Sequence, residues 1–556
     1  MFEVSPLQKL RSQYSPKIPK ALRCGWKVIK GANTQAERDG GQIKEMFPHT
    51  YGLPMIHLEE GEMVNALKDG INIGVILSGG PAPGGHNVIT GLFDGIKQLH
   101  ESSKLFGFLM GPDGLVNHNY IEITKEIVDK HRNTGGFDMI GSGRTKLEKP
   151  EQFDRGIEIL HKLNIRAVVI IGGDDSNTNA CMMAEYFLQK GENIQVIGCP
   201  KTIDGDLKNE DIECSFGFDT ATKVYSELIG NIQRDCLSSK KNWHFIKLMG
   251  RTASHITLEC ALKCQPNITL ISENIQAKDW RINDVVNYMA NIIAQRAAEG
   301  KMYGTALIPE GILEFLPSFR VLIDEINEYL SSPQGSHLEM VMKREKVRFM
   351  SIQLSEDSSK LLQSLPYEVA LQLLEDRDPH GNVMVSKVDT EKLFVGLVAK
   401  RLEEMRIEGT FSGKFSTQTH FLGYEGRCAF PSNYDADYCY SLGRTAVALI
   451  ADGLTGYMAT VRNTTHPADE CIAGGVPLTK MMYMERRGGQ LVPVIKKSLV
   501  NVDGKAFEYF ERHREKWALE DCYNYPGPIA FYGPRQICDE PTLTIRLELD
   551  STTSFE

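Results

Sequence analysis

The chain has 556 residues, of which 42% are hydrophobic and 24% charged; this is ordinary globular material, long enough for two to four domains. A formal net charge of −10 gives no long-range attraction for nucleic acid, so any phosphate-handling site has to be a local concentration of Lys and Arg. No run approaches the ~20 apolar residues that span a bilayer, and Met1 to Pro6 lack the apolar core of a signal peptide. The 12 cysteines are scattered, with Cys260 and Cys264 the closest pair, and form neither a zinc motif nor a disulfide framework. A cytoplasmic protein with reduced, mostly buried thiols is the expectation, with neither membrane nor nucleic acid as a partner.

Residues 1–70 carry Pro, Gly and charge without sustained periodicity and read as an N-terminal extension laid on the body. From residue 71 short apolar runs ending in Gly or Pro alternate with helical segments: Ile73–Leu77, Ala167–Ile171, Gln195–Gly198, His244–Met249, Asn267–Ile271 and Thr305–Pro309. Repeated strand-loop-helix units imply an α/β protein with parallel sheets covered on both faces. In such sheets ligands sit beyond the carboxyl ends of the strands. The stretch from about 322 to 415 is charged and helical (Val321–Leu330, Ser358–Glu375, Thr390–Arg406) and reads as an insertion. Residues 481–556 form a mixed C-terminal segment without a clear signal.

The chemistry-bearing residues follow these runs. Ser78-Gly79-Gly80-Pro81-Ala82-Pro83-Gly84-Gly85 lets backbone approach a ligand, although Gly85-His86 stands where a Walker lysine motif would be. By itself such a turn is a tight strand-to-helix connection. Gly141-Ser142-Gly143-Arg144-Thr145-Lys146 adds two cations to a second glycine turn, with Arg144 a candidate phosphate clamp. Gly172-Gly173-Asp174-Asp175-Ser176 is the most unusual: a strand end and helix start suited to phosphate, with Ser176 as the expected N-cap, yet carrying two carboxylates. Carboxylates beside phosphate require a divalent cation or serve to exclude something.

Pro200-Lys201-Thr202-Ile203-Asp204-Gly205-Asp206 places two acids at i and i+2, which share a side in an extended loop. One suits a general base and the other substrate orientation or a metal, with Lys201 supplying positive charge to a transferring phosphoryl group. An Asp-Gly-Asp run also forms an Asx-turn readily; Pro, Lys, Thr and paired acids together exceed what a turn needs. Met249-Gly250-Arg251, Pro309-Glu310-Gly311 and Gly423-Tyr424-Glu425-Gly426-Arg427 complete the equipment for a sugar phosphate.

In this order the motifs resemble the phosphofructokinases, over about residues 70 to 465, and within that family the long, pyrophosphate-dependent branch. The resemblance implies two Rossmann-like parallel-sheet domains with an N-terminal extension and a helical insertion. It implies a pyrophosphate and Mg²⁺ domain over 71–210, completed by about 430–480, and a fructose 6-phosphate domain over 211–430. ATP-using members of the family carry Gly where Asp175 stands, and usually Gly where Lys201 stands. A carboxylate at 175 would repel a nucleotide's α-phosphate, whereas pyrophosphate ends before that point.

Carried over by position, the resemblance gives Gly80, Arg144 and Lys201 to pyrophosphate and Asp174 to Mg²⁺. It makes Asp204 the base, supported by Asp206. Thr202, Ile203, Asp204, Met249, Gly250, Arg251, Glu310, Tyr424, Glu425, Gly426 and Arg427 fall to the sugar phosphate. Lys241 and Asn242 are expected to reach the site of a neighbouring subunit in a homodimer or homotetramer. The expected reaction is readily reversible phosphoryl transfer to the sugar's 1-hydroxyl. The alternatives are an ATP-dependent phosphofructokinase and a non-catalytic sugar-phosphate-sensing subunit, the latter opposed by an intact Pro200–Asp206 loop.

Overall fold

Short β-branched runs bounded by glycine bury both faces best as central strands of a parallel sheet. In the computed structural model, which describes residues 4–62, 69–375, 377, 383–487 and 490–549, each of the six apolar runs carries a strand. The chain divides into two compact units: Met1–Val224 with Tyr424–Ser498 and Ile529–Asp550, and Tyr225–Gly423 with Leu499–Pro528 and Ser551–Glu556.

The first unit is built on a nine-stranded sheet. Five run parallel, in the order Tyr457–Arg462, Gln195–Pro200, Ile165–Gly172, Asn72–Leu77 and Lys104–Phe108. Antiparallel strands extend both margins: Tyr120–Ile123 on one side, and Ile472–Pro477, Pro54–Glu60 and Trp26–Asn33 on the other. Val168, Ile170 and Val196 pack with Phe108, Phe153 and Phe187 in its core. The parallel strands end in unison, so their following loops meet along one edge.

The second unit holds four parallel strands in the order Thr417–Leu422, Trp243–Leu248, Gly304–Pro309 and Ile268–Thr269. The expected helical insertion is present as Pro317–Ser331, Lys346–Gln353, Glu356–Ser364, Tyr367–Glu375 and Thr390–Ile407 with shorter turns between them. Its Leu322, Met350, Leu373 and Phe394 share one core with Trp243, Phe245 and Ile308 of the sheet. The expected helix Ser358–Glu375 is broken at Leu365-Pro366, because proline disfavours helix at the residue before it and lacks the N–H.

Two boundaries differ from those expected. Residues 26–33 and 54–60 are not a covering but strands of the large sheet; Ile56 and Leu58 turn inward while the residues around them do not, a period-2 signal only a few residues long. The C-terminal segment is shared: Gln490–Ile495 pairs with Met482–Arg487 in the first unit, while helix Lys505–Leu519 belongs to the second. Parts of the expected extension (1–3, 63–68), insertion (376, 378–382) and C-terminal segment (488–489, 550–556) lie outside the described residues. No helix among the described residues is long and apolar enough to cross a membrane.

Candidate active site

At the carboxyl edge of the first unit's sheet, the strand Asn72–Leu77 continues to Ser78, whose N–H donates to the Ile171 carbonyl at 2.8 Å. Gly79 then turns with φ 87°, a conformation that favours glycine, and its N–H donates to the Gly143 carbonyl at 2.9 Å. That bond draws Arg144 onto the turn. A Cβ on residue 79 would stand 3.1 Å from Lys201 Nζ; one on residue 80 would collide with the Arg427 guanidinium and stand 3.7 Å from Arg144 Nη2. Three cations from three separate loops therefore converge on backbone stripped of side chains, which is what a small, highly charged phosphate ligand requires.

Arg427, expected among the sugar residues, lies beside Gly80 together with Arg144. Its guanidinium lies 5.2 Å from the centre of the Tyr424 ring, a cation–π contact on a tyrosine that is 70% exposed. Glu425 is exposed and Gly426 buried within the same short helical turn.

Lys201 begins the loop after Gln195–Pro200, its N–H on the Gly172 carbonyl at 2.9 Å. The side chain is buried, and burial, with Arg427 and Arg144 nearby, pushes its ammonium from the usual 10.5 down to about 8 against the opposing pull of Asp204 and Asp206. Beyond it the chain is a turn and not an extended stretch. The Asp204 N–H donates to Thr202 Oγ1 at 3.0 Å, and Gly205 adopts φ 73°. The shared-side argument for the two acids therefore does not apply: Asp206 is buried beside Lys497, whereas Asp204 is only part-buried. Ile203 turns its side chain into the interior.

The helix Asp174–Gln189 starts directly with the two acids, capped by Gly173 in extended conformation. Ser176 lies inside the first turn and its hydroxyl donates to Ser78 Oγ at 2.8 Å, so it ties two loops together and is not the N-cap. Asp174 Oδ2 is buried and accepts no hydrogen bond from the described residues, and burial raises its carboxyl above the usual carboxylate range, with Lys497 opposing. Lys497 Nζ lies 3.6 Å from that oxygen and 3.9 Å from Asp206 Oδ2. Asp175 is more exposed and pairs with Lys146 at 3.5 Å. Lys497 lay in the stretch without a clear signal, and no motif in the sequence marks it.

In the second unit, Met249 donates its N–H to the Leu422 carbonyl at 3.0 Å, and Gly250, at φ 128°, donates to Glu310 Oε2 at 3.0 Å. Buried Glu310 thus holds the backbone that presents exposed Arg251, and Gly311 leaves room for the Arg251 carbonyl. Lys241 and Asn242 precede the strand Trp243–Leu248, while Met249 to Arg251 follow it, so the two groups are separated by a strand of roughly 20 Å. Within one chain the structure does not bring them together. Asn242 accepts from Ser416 Oγ at 2.9 Å, and Lys241 is exposed.

The sequence profile described as Phosphofructokinase matches residues 72–450. The pyrophosphate–fructose 6-phosphate 1-phosphotransferase of Porphyromonas gingivalis is 57% identical over 544 residues, covering 98% of this chain and 99% of its own. That of Treponema pallidum is 50% identical, covering 98% and 97%. The alpha subunit of the Solanum tuberosum protein is 37% identical, covering 96% and 87%. Among solved structures, a pyrophosphate-dependent phosphofructokinase from Nitrosospira multiformis superposes with a TM-score of 0.53 at 15% identity, over 85% of this chain and 97% of that one, a likeness of fold.

Proposed function

Because the chain belongs to the phosphofructokinase family, we propose how its residues divide the work of a pyrophosphate-dependent phosphotransferase. The reaction moves a phosphoryl group from pyrophosphate to the 1-hydroxyl of fructose 6-phosphate, giving fructose 1,6-bisphosphate and phosphate. The observation that carries this reading is the convergence of Lys201, Arg144 and Arg427 on Gly79-Gly80. Phosphoryl transfer leaves little covalent work to a protein; positioning and electrostatics do most of it. Arg144 and Arg427 grip the donor, and Lys201 neutralises the charge that develops on the departing phosphate. Asp204 accepts the proton of the sugar hydroxyl. Arg251, Met249, the Gly250 backbone and Glu310 serve the sugar phosphate, with Thr202 and Tyr424 as further contacts.

Asp174 suits a divalent cation: a hard oxygen donor whose buried Oδ2 accepts no hydrogen bond from the described residues, within the field of a second acid in Asp206. Mg²⁺ bound there supplies neutralisation of the donor's negative charge. Asp175 keeps out longer donors, since its carboxylate opposes the α-phosphate of a nucleotide. The donor bond and the product ester are comparable in energy, so transfer runs in either direction. A cytoplasmic homo-oligomer, in which Lys241 and Asn242 serve a neighbouring copy, completes the reading.

The test is fructose 1,6-bisphosphate formation from fructose 6-phosphate and Mg²⁺ with pyrophosphate and ATP supplied separately. Turnover with pyrophosphate alone is expected. Turnover with ATP alone overturns the donor assignment, and silence with both overturns the catalytic one.

A further inference from the structure

Lys497 is absent from every recognisable motif, yet its ammonium lies within 3.9 Å of two acids of the site. It follows the strand Gln490–Ile495 and is tethered on both sides. The Ile495 N–H donates to Thr178 Oγ1 at 3.2 Å, in the helix that opens with Asp174, and the Ser498 N–H donates to the Asp206 carbonyl at 2.7 Å. Between these anchors its ammonium stands 3.6 Å from Asp174 Oδ2 and 3.9 Å from Asp206 Oδ2. Those are the oxygens of the proposed metal site. Two largely buried carboxylates with Asp175 alongside repel one another unless a cation stands among them.

We infer that Lys497 is an internal counter-ion: in the free enzyme it holds the carboxylates proposed for Mg²⁺, and it yields them when pyrophosphate arrives with the metal. This rests on the assignment of Asp174 and Asp206 to the metal. A bare divalent cation has to displace the ammonium from its partners. When pyrophosphate is present, the displaced ammonium has phosphate oxygens to turn to, and the competition is relieved. Metal and pyrophosphate are then positively coupled, and by linkage each raises the other's affinity by the same factor. Lys497 is a positioning residue in this scheme, acting through the carboxylates on when the site fills.

The coupling is measurable without turnover. Binding of Mn²⁺ is followed by electron paramagnetic resonance, with and without imidodiphosphate and with no sugar present, for the parent, K497M, K497Q, K497R and D174N. Thermal melting confirms that each variant is folded. The parent is expected to bind Mn²⁺ at least about tenfold more tightly when imidodiphosphate is present, a coupling of about 1.4 kcal/mol. K497M and K497Q are expected to bind Mn²⁺ alone about tenfold more tightly than the parent and to lose most of the coupling, while K497R keeps both parental values. Unchanged or weaker Mn²⁺ binding by K497M and K497Q overturns the inference, as does absence of coupling in the parent. Parental Mn²⁺ binding by D174N overturns instead the metal assignment on which it rests.

Discussion

Lys201 and Lys247 are both buried lysines near the carboxyl ends of parallel strands, one in each unit, and they differ in the cations around them. Lys247 donates to the Val388 carbonyl at 3.0 Å, lies 3.5 Å from the Glu391 carboxylate and sits 4.4 Å from the centre of the Phe421 ring. Its charge is matched on the spot by groups of the fold. Lys201 has acids nearby as well, but two arginines share its neighbourhood, and its ammonium is pushed down to about 8. A cation matched within the fold supports the structure. Under the proposed function, one kept in the company of other cations awaits a ligand that brings further negative charge.

The contrast is sharpest for the acids. Asp204→Ala is expected to lower kcat at least about 100-fold, as for a lost general base, with little change in thermal stability. Steady-state kinetics with pyrophosphate checks this, and parental turnover removes Asp204 from the role. The lysines come next and should cross over. Lys201→Met is expected to cost about 100-fold in kcat, on the order of one lost electrostatic donor, with stability retained. Lys247→Met leaves the buried Glu391 carboxylate uncompensated, at about 3 kcal/mol of stability, read by urea unfolding, while folded molecules keep their turnover. If both variants lose stability and neither loses kcat, the two lysines are alike and the comparison fails.

A smaller effect tests the helix that starts at Asp174. Asp175 is half-exposed and paired with Lys146, so its field is partly screened. Asp175→Gly is expected to shift the ratio of kcat/KM for ATP over pyrophosphate by roughly tenfold, less than the several kcal/mol of an unscreened like-charge clash. An unchanged ratio shows that donor choice is made elsewhere.

The parts of this arrangement that were legible in the sequence are those encoded locally. Ala167–Ile171 could hardly be anything but a buried strand, and the loops that follow such runs carry the unusual residues, so Gly80, Asp174, Lys201 and Asp204 stood out as candidates. What required coordinates depends on residues far apart in the chain. Arg427 joins Gly80 across more than 300 positions, and Lys497 reaches Asp174 from the end of a short hairpin. Neither has a neighbouring motif to betray it. The turn at Thr202–Gly205 departs from the extended form for another reason: a hydroxyl capping the Asp204 N–H and a glycine at φ 73° override the geometry that spacing alone suggests. Trp26–Asn33 and Pro54–Glu60 escaped because margin strands carry too few inward residues to show a period.

The last prediction separates what Lys201 does for the ligand from what it does to the fold. Its ammonium titrates near 8 in the folded protein against 10.5 ordinarily. As pH rises through about 8 the free enzyme loses this charge, so kcat/KM for pyrophosphate should fall about tenfold per pH unit on that limb. Stability should move the other way. Between about 8 and 10.5 the unfolded chain binds this proton and the folded chain does not, so unfolding free energy rises with pH across that window, by roughly 3 kcal/mol in total from this group. Lys201→Arg, whose guanidinium stays charged throughout, should remove the descending limb, and Lys201→Met should remove the rise in stability. Activity profiles and melting curves over pH 6 to about 10, taken on parent and variants, read both. A limb that survives in Lys201→Arg belongs to another group; loss of the limb in Lys201→Arg and of the stability rise in Lys201→Met assigns both slopes to the one ammonium whose charge burial disfavours.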